Sequence, residues 1–256
     1  MINVIFEDGY LLVVNKPPGL VVDPALTVKE ETLADILQRD FKIQLFRGGI
    51  VHRLDKDTSG IFLVAKTQNA LENLQSQFKE RKIKKEYLTL VHGVVDSAGK
   101  VEGSIGRNPG NREKFTVLGE EEGKEAITEF EPISNFPPKA DQPLAGNFQS
   151  IFNELNKIQM RKLERMKYNQ FTLLKCHPLT GRTHQIRVHL KYINHPVVAD
   201  EKYVGRKMYR LDKRWCPRLF LHAKKLGFYH PVTDKWMELE CELPEDLKTA
   251  LDCLSF

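Results

Sequence analysis

Short apolar runs recur along the chain, and their spacing switches between strand and helix periods. Tyr10-Leu11-Leu12-Val13-Val14 is apolar throughout and stops at Asn15-Lys16-Pro17-Pro18-Gly19, which predicts a buried strand and a turn. Thr32 is a candidate N-cap for a short helix with Leu33, Ile36 and Leu37 on one face. Ile61 to Ala65 has no polar face and predicts a central strand; Thr67 then caps a helix carrying Leu71, Leu74 and Phe78. Glu86 to Val91 and Ala126 to Phe130 read as strands. Between them, glycines at 99, 103, 106, 110, 119 and 123 predict loops and short strands over 96–124.

Beyond Pro137, Pro138 and Pro143, the positions Phe148, Ile151, Phe152, Leu155, Ile158, Leu163 and Met166 fit one or two amphipathic helices with a basic opposite face. Phe171 to Cys176 predicts a strand and Thr183 to Ile193 a helix capped by Thr183. Leu226–Tyr229 and Trp236–Cys241 predict a hairpin, and Pro244-Glu245-Asp246 opens a last helix with Leu247 and Leu251. Many strands with few, irregular helices predict an α+β fold with a mixed, largely antiparallel β-sheet core flanked by helices. No repeat, Walker loop or dinucleotide fingerprint is present.

Composition narrows the class only a little. Of 256 residues, 41% are hydrophobic and 29% charged, and Lys+Arg 39 against Asp+Glu 34 leaves +5. Clustering says more. Lys79, Arg81, Lys82, Lys84 and Lys85 form one basic group, Arg161, Lys162, Arg165 and Lys167 a second, and Arg206, Lys207, Arg210, Lys213, Arg214 and Arg218 a third. One such group is ordinarily a solvated face; three together favour a nucleic-acid partner. The four cysteines form no CxxC pair, so neither a zinc site nor a redox motif is expected. No run approaches the roughly 20 apolar residues of a membrane span, and the first residues do not resemble a signal peptide. Both readings predict a soluble, cytoplasmic protein.

The chemistry-bearing stretch is GGIVHRLDKDTSGIFLVAK, residues 48 to 66. If Val51 to Asp57 is extended, Arg53, Asp55 and Asp57 share one side and His52, Leu54 and Lys56 the other. A carboxylate with an arginine two residues away stays ionised, which suits a nucleophile better than a general acid. The plainer alternative is a charged turn between strands, closed by Gly60. In LTGRTHQIRVHL, residues 179 to 190, His184, Arg187 and Lys191 fall on one helix face and Ile186, Leu190 and Ile193 on another. This is either a wet amphipathic helix, or the source of a cation, Arg187 or Arg182, that keeps a distant carboxylate charged. His184 and His189 lack metal-ligand spacing. In Lys84-Lys85-Glu86-Tyr87, lysines run into a strand that displays a tyrosine, suited to phosphate contact and base stacking or simply to a cross-strand contact.

Taken with VVNKPPGLVV (13 to 22), KKEYLTLVHG (84 to 93), HPVVADEKYVG (195 to 205) and LHAKKLGFYHP (221 to 231), these stretches resemble the RNA pseudouridine synthases of the RluA/RluD type. The resemblance implies a pseudouridine-synthase-like fold with a central catalytic cleft, in a single catalytic domain over 1–256. It implies isomerisation of a flipped-out uridine in rRNA or tRNA. Asp55 would be the catalytic carboxylate, Tyr87 the ring that stacks on the target base, and Arg187 the carboxylate's partner, with Arg182 second. Arg53 would fill the space of the flipped nucleotide. His184 and Ile186 would belong to the substrate pocket, and Lys82, Lys84 and Lys85 would meet the RNA backbone. No metal or cofactor is needed, because the reaction is neither redox nor phosphoryl transfer, and a monomer is expected. Since the catalytic pattern begins at Val4, no S4 RNA-binding domain is expected. Residues 134–168 look like a basic helical insertion, either an accessory RNA contact or a structural cover.

Two rivals stand beside this reading. A binding protein on the same fold would bind RNA without forming pseudouridine. A glycoside hydrolase would need a second, independent carboxylate, and Asp57 is too close in sequence to provide it.

Overall fold

Apolar strands and capped helices assemble much as their patterns predict. A computed structural model describes residues 2–23, 30–119, 122–136, 151–166 and 168–254. The chain divides into two units: residues 1–87 with 222–242, and residues 88–221 with 243–256.

In the first unit, β1 (Asn3–Glu7), β2 (Leu11–Lys16) and β3 (Ser59–Ala65) pair antiparallel in sequence order. All seven residues of β3 are buried, as the unbroken apolar run Ile61 to Ala65 requires. β3 pairs in parallel with β9 (Leu221–Tyr229), which forms the expected hairpin with β10 (Trp236–Glu240). Gly60 lies inside β3 at φ 120°, not at the end of a turn. A Cβ there would stand 2.2 Å from the Ala223 carbonyl oxygen, so the pairing with β9 demands glycine.

Helices α1 (Leu33–Asp40) and α2 (Gln68–Lys79) cover this sheet. The predicted caps are present: the Thr32 hydroxyl accepts from the Asp35 N–H while Asp35 accepts from the Thr32 N–H, and Thr67 accepts from the Ala70 N–H. Leu33 and Leu37 of α1, and Leu71 and Leu74 of α2, join Leu11–Val14, Phe62–Ala65 and Phe228 in the core.

The chain enters the second unit along β4 (Lys84–His92). There β8 (Phe171–Pro178), β7 (Lys124–Phe136), β5 (Gly99–Asn108) and β6 (Asn111–Leu118) form an antiparallel run in that order. The glycine-rich stretch expected to be loops and short strands is thus two long strands. Its glycines make room for partner side chains: a Cβ at Gly106 would lie 2.5 Å from Leu118 Cδ1, and one at Gly103 2.8 Å from Val117 Cγ1. Such packing glycines look the same as turn glycines in a bare sequence.

The predicted insertion contributes α3 (Lys157–Arg165); residues 137–150 and Lys167 lie outside the described residues. Phe152 and Leu163 are buried as their spacing implies, but Ile158 is 79% exposed, contrary to its assigned place on the apolar face. The later helices are α4 (Gln185–Tyr192), α5 (Arg206–Asp212) and α6 (Glu245–Asp252). Phe152, Leu163, Tyr168, Phe171, Trp215, Phe220 and Leu247 form the core of this unit.

Candidate active site

In the first unit, Asp55 sits in the irregular segment that leads into β3. The expected alternation holds over its first part: Leu54 is buried, Arg53 exposed and Asp55 half-buried. It breaks at Lys56 and Asp57, both exposed in a turn where the Thr58 N–H donates to the Asp55 carbonyl at 3.2 Å.

A buried lysine holds this segment in place. Lys16, at the end of β2 and fully buried, donates to the carbonyls of Pro17, Leu20 and Lys56 at 2.8, 2.9 and 3.0 Å. The Gly19 N–H reaches the same Lys56 carbonyl at 2.9 Å. The NKPPG turn is therefore clasped against the residue that follows Asp55. An ammonium has three donors, and these three acceptors match them.

On the other side of Leu54, His52 anchors the segment to β3. Its Nε2 accepts the Leu63 N–H at 3.0 Å, and its ring stacks on Phe62 and Phe78 at 4.4 and 5.0 Å. Burial, with the Lys85 cation nearby, pushes this imidazole down to about 3, so it is neutral with its proton on Nδ1.

Tyr87 and Lys85 alternate onto one side of β4. Tyr87 packs against the core, and burial together with the Asp55 carboxylate pushes its phenol above the usual tyrosine range. A neutral phenol beside an aspartate, on a strand next to a pinned loop, is a fixed aromatic surface. Lys85 is half-buried, and desolvation lowers it to about 8, so near neutral pH it stays largely protonated. Lys82 and Lys84 are exposed; Lys82 pairs with Glu80 at 2.6 Å and Lys84 lies over the Trp236 ring at 5.5 Å. Only these two of the three lysines stand as open surface cations.

The TGRTHQIR stretch lies in the second unit and differs from its expectation. α4 begins after His184, which adopts the left-handed conformation (φ 55°, ψ 22°) and makes no side-chain cap; Thr183 is not the cap. The side chain of Gln185 instead ties the start of the helix to the preceding turn and to β7. Its Oε1 accepts from the Arg182 N–H at 2.9 Å and the Thr180 hydroxyl at 2.7 Å, and its Nε2 donates to the Ile127 carbonyl and to Thr128 Oγ1 at 2.9 and 3.0 Å. Residues Gln185 to Leu190 are all buried, so α4 is not an amphipathic surface helix. Periodicity could not reveal this, because the buried polar residues find their partners elsewhere in the chain, Gln185 and His189 on Thr128 and Arg187 on Asp200.

Arg187 is the chief case. Its Nε and Nη2 donate to the two oxygens of buried Asp200 at 2.7 and 2.8 Å, and its guanidinium lies 5.1 Å from the Tyr203 ring. Asp200 in turn accepts the Lys202 and Tyr203 N–H groups at 3.0 and 3.2 Å. The Tyr203 hydroxyl pairs with His184 Nδ1 at 2.8 Å and accepts the Phe115 N–H at 3.0 Å. Asp200 and Tyr203 both lie in HPVVADEKYVG, whose Asp-x-x-Tyr spacing within an apolar setting was the available signal. Arg182 Nε donates to the Glu125 carbonyl at 2.9 Å, and Ile186 is buried.

A family model described as RNA pseudouridylate synthase matches residues 10–192. A relative named as the uncharacterized RNA pseudouridine synthase YlyB of Bacillus subtilis (strain 168) is 35% identical over 259 residues, spanning 99% of this chain and 73% of its own. A ribosomal large subunit pseudouridine synthase D of Zymomonas mobilis subsp. mobilis is 34% identical over 256 residues, spanning 96% of this chain and 71% of its own. Among solved structures, human RNA pseudouridylate synthase domain containing 1 is similar with a TM-score of 0.69 and 26% identity, over 95% of this chain and 84% of that one.

Proposed function

The chain belongs to the RNA pseudouridylate synthase family, and from that premise we propose that it converts uridines of large-subunit ribosomal RNA to pseudouridine with Asp55 as the catalytic carboxylate. The observation that carries the reading is a half-buried Asp55 carboxylate on a clasped loop, close enough to act electrostatically on the neutral ring of Tyr87.

The chemistry is an isomerisation. The N1–C1′ bond breaks, the uracil turns, a C5–C1′ bond forms, and the C5 proton is replaced by one on N1. Nothing is oxidised and no group leaves, so amino-acid side chains suffice. A target base must leave its stack, at a cost of a few kcal/mol. Stacking on Tyr87 offsets about 1–3 kcal/mol of that, and Arg53, exposed beside the loop, is suited to occupy the vacated space. Asp55 then attacks ribose C1′ or uracil C6, or removes a sugar proton in a glycal route.

Arg187, its guanidinium plane fixed by Asp200, is assigned to the catalytic machinery, with Arg182 second. His184 and Ile186 are assigned to the substrate pocket, and Lys82, Lys84 and Lys85 to the RNA backbone. The protein acts in the cytoplasm as a monomer.

Ribosomal RNA is preferred to transfer RNA because the Zymomonas relative is named for the large ribosomal subunit. Unmodified large-subunit rRNA and bulk tRNA transcripts, incubated with the protein and mapped for pseudouridine, test it. Product in the rRNA alone is expected. Product confined to tRNA removes the substrate assignment, and product in neither removes the activity.

A further inference from the structure

Two basic clusters about 45 residues apart in the chain come together in the second unit. α3 carries exposed Lys157, Arg161, Lys162 and Arg165, and α5 carries exposed Arg206, Lys207 and Arg210. The segments lie against each other. Lys207 Nζ stands 3.1 Å from Met166 Sδ, Arg214 pairs with Glu154 at 2.7 Å, and the Arg214 guanidinium lies 5.3 Å from the Phe152 ring. Beneath them Leu163 and Met160 of α3 share one apolar cluster with Met208 and Leu211 of α5. With their apolar sides turned to the same core, both helices present their cations to solvent.

Several polar contacts fix this arrangement. The Tyr168 hydroxyl, just after α3, donates to Asp212 Oδ1 at 2.8 Å, and Trp215 Nε1 donates to the same hydroxyl at 3.0 Å. Fully buried Asp212, the last residue of α5, also accepts the Ala199 N–H at 2.8 Å and meets His92 Nε2 at 3.1 Å. The end of the insertion at Tyr168 is thus bolted to the sheet through an aspartate.

We infer that the joined face of α3 and α5 is a phosphate-binding surface for a segment of the RNA substrate that flanks the target uridine. The inference rests on the pseudouridine synthase reading. Lys157, Arg161 and Arg165 recur every four residues, as do Arg206 and Arg210. Each row therefore sets cations about 6 Å apart along its helix edge, a ladder suited to successive phosphates. Among the described residues, none of these five forms an ion pair. A protein-binding face would centre on buried-on-binding aromatic and apolar anchors ringed by polar residues; here Ile158 is the one large exposed apolar side chain on α3.

The test is the affinity and salt dependence of RNA binding for the full-length chain carrying K157Q/R161Q/K162Q/R165Q, and separately R206Q/K207Q/R210Q. All seven positions are exposed, and a thermal melt of each variant checks folding. The affinity for a large-subunit rRNA fragment should fall at least about tenfold near 0.15 M salt. The log–log salt slope should drop by up to about 3 in the first variant. Unchanged affinity and slope in both folded variants overturn the inference. If polyglutamate binding is lost while RNA binding is kept, the face is a dock for an acidic protein and the inference is equally overturned. If one variant fails to fold, the other decides in the same way. Binding is read without product. A chain that forms no pseudouridine but loses RNA affinity in these variants therefore removes the catalytic reading alone.

Discussion

Lys16 carries its charge into the core with no exposed surface, and the three carbonyls it meets all belong to the turn and loop around Asp55. Replacing it with methionine keeps the volume but strands the Pro17 and Leu20 carbonyls and leaves the Lys56 carbonyl to the Gly19 N–H alone; an acceptor left buried and unpaired costs about 1–3 kcal/mol. Lys16→Met is therefore expected to cost about 3 kcal/mol in urea unfolding and to lower kcat while leaving the RNA Kd nearly unchanged. Equal effects on kcat and Kd would contradict a positioning role. His52 makes a second prediction. Its folded pKa lies near 3 against an ordinary 6.5, so between those values the unfolded chain binds a proton that the folded chain refuses. Its stabilising contribution is complete above pH 6.5 and is lost as pH falls, by about 2 kcal/mol at pH 5. Urea midpoints at pH 7.5 and 5.0 should differ less in His52→Gln than in the wild type; an identical pH dependence would rule out this role for His52.

At the scale of elements, the buried carboxylates decide what packs where. Asp212 receives the Tyr168 hydroxyl, the Ala199 N–H and His92. Asp212→Leu strands all three donors and should lower stability by about 3–5 kcal/mol. Tyr168→Phe, which leaves the ring in place, should cost about 1–2 kcal/mol. A calorimetric scan of both variants checks the order, and a larger loss in Tyr168→Phe would contradict it. The elements legible in the sequence were those whose stability is local or one-sided. The Thr32 and Thr67 caps, the apolar run Ile61 to Ala65 of β3 and the β9–β10 hairpin each carry their signal within a few residues. The start of α4 did not. There no side chain caps the helix, and the start is held by Gln185, whose partners Ile127 and Thr128 lie almost 60 positions away. The β5–β6 pair was hidden for a like reason, since Gly103 and Gly106 are set by Val117 and Leu118 across the strand. Of the candidate site, Asp55, Arg53 and Tyr87 could be singled out by residue type and motif. Asp200 and Lys16 could not be given roles, because a buried charge is explained only by its partners.

For the whole molecule, a net charge of +5 understates the attraction for a polyanion, because Lys157, Arg161, Arg165, Arg206 and Arg210 are gathered on two adjoining helices of one unit. The proposed catalysis narrows instead to one carboxylate. Replacing Asp55 with asparagine preserves shape and removes the charge. Pseudouridine formation in unmodified large-subunit rRNA by the wild-type chain and by Asp55→Asn, measured beside the RNA affinity of each, is the most direct test. Product from the wild type, none from Asp55→Asn, and comparable RNA affinities are expected. Pseudouridine formed by Asp55→Asn at the wild-type rate would contradict the assignment of this carboxylate to catalysis.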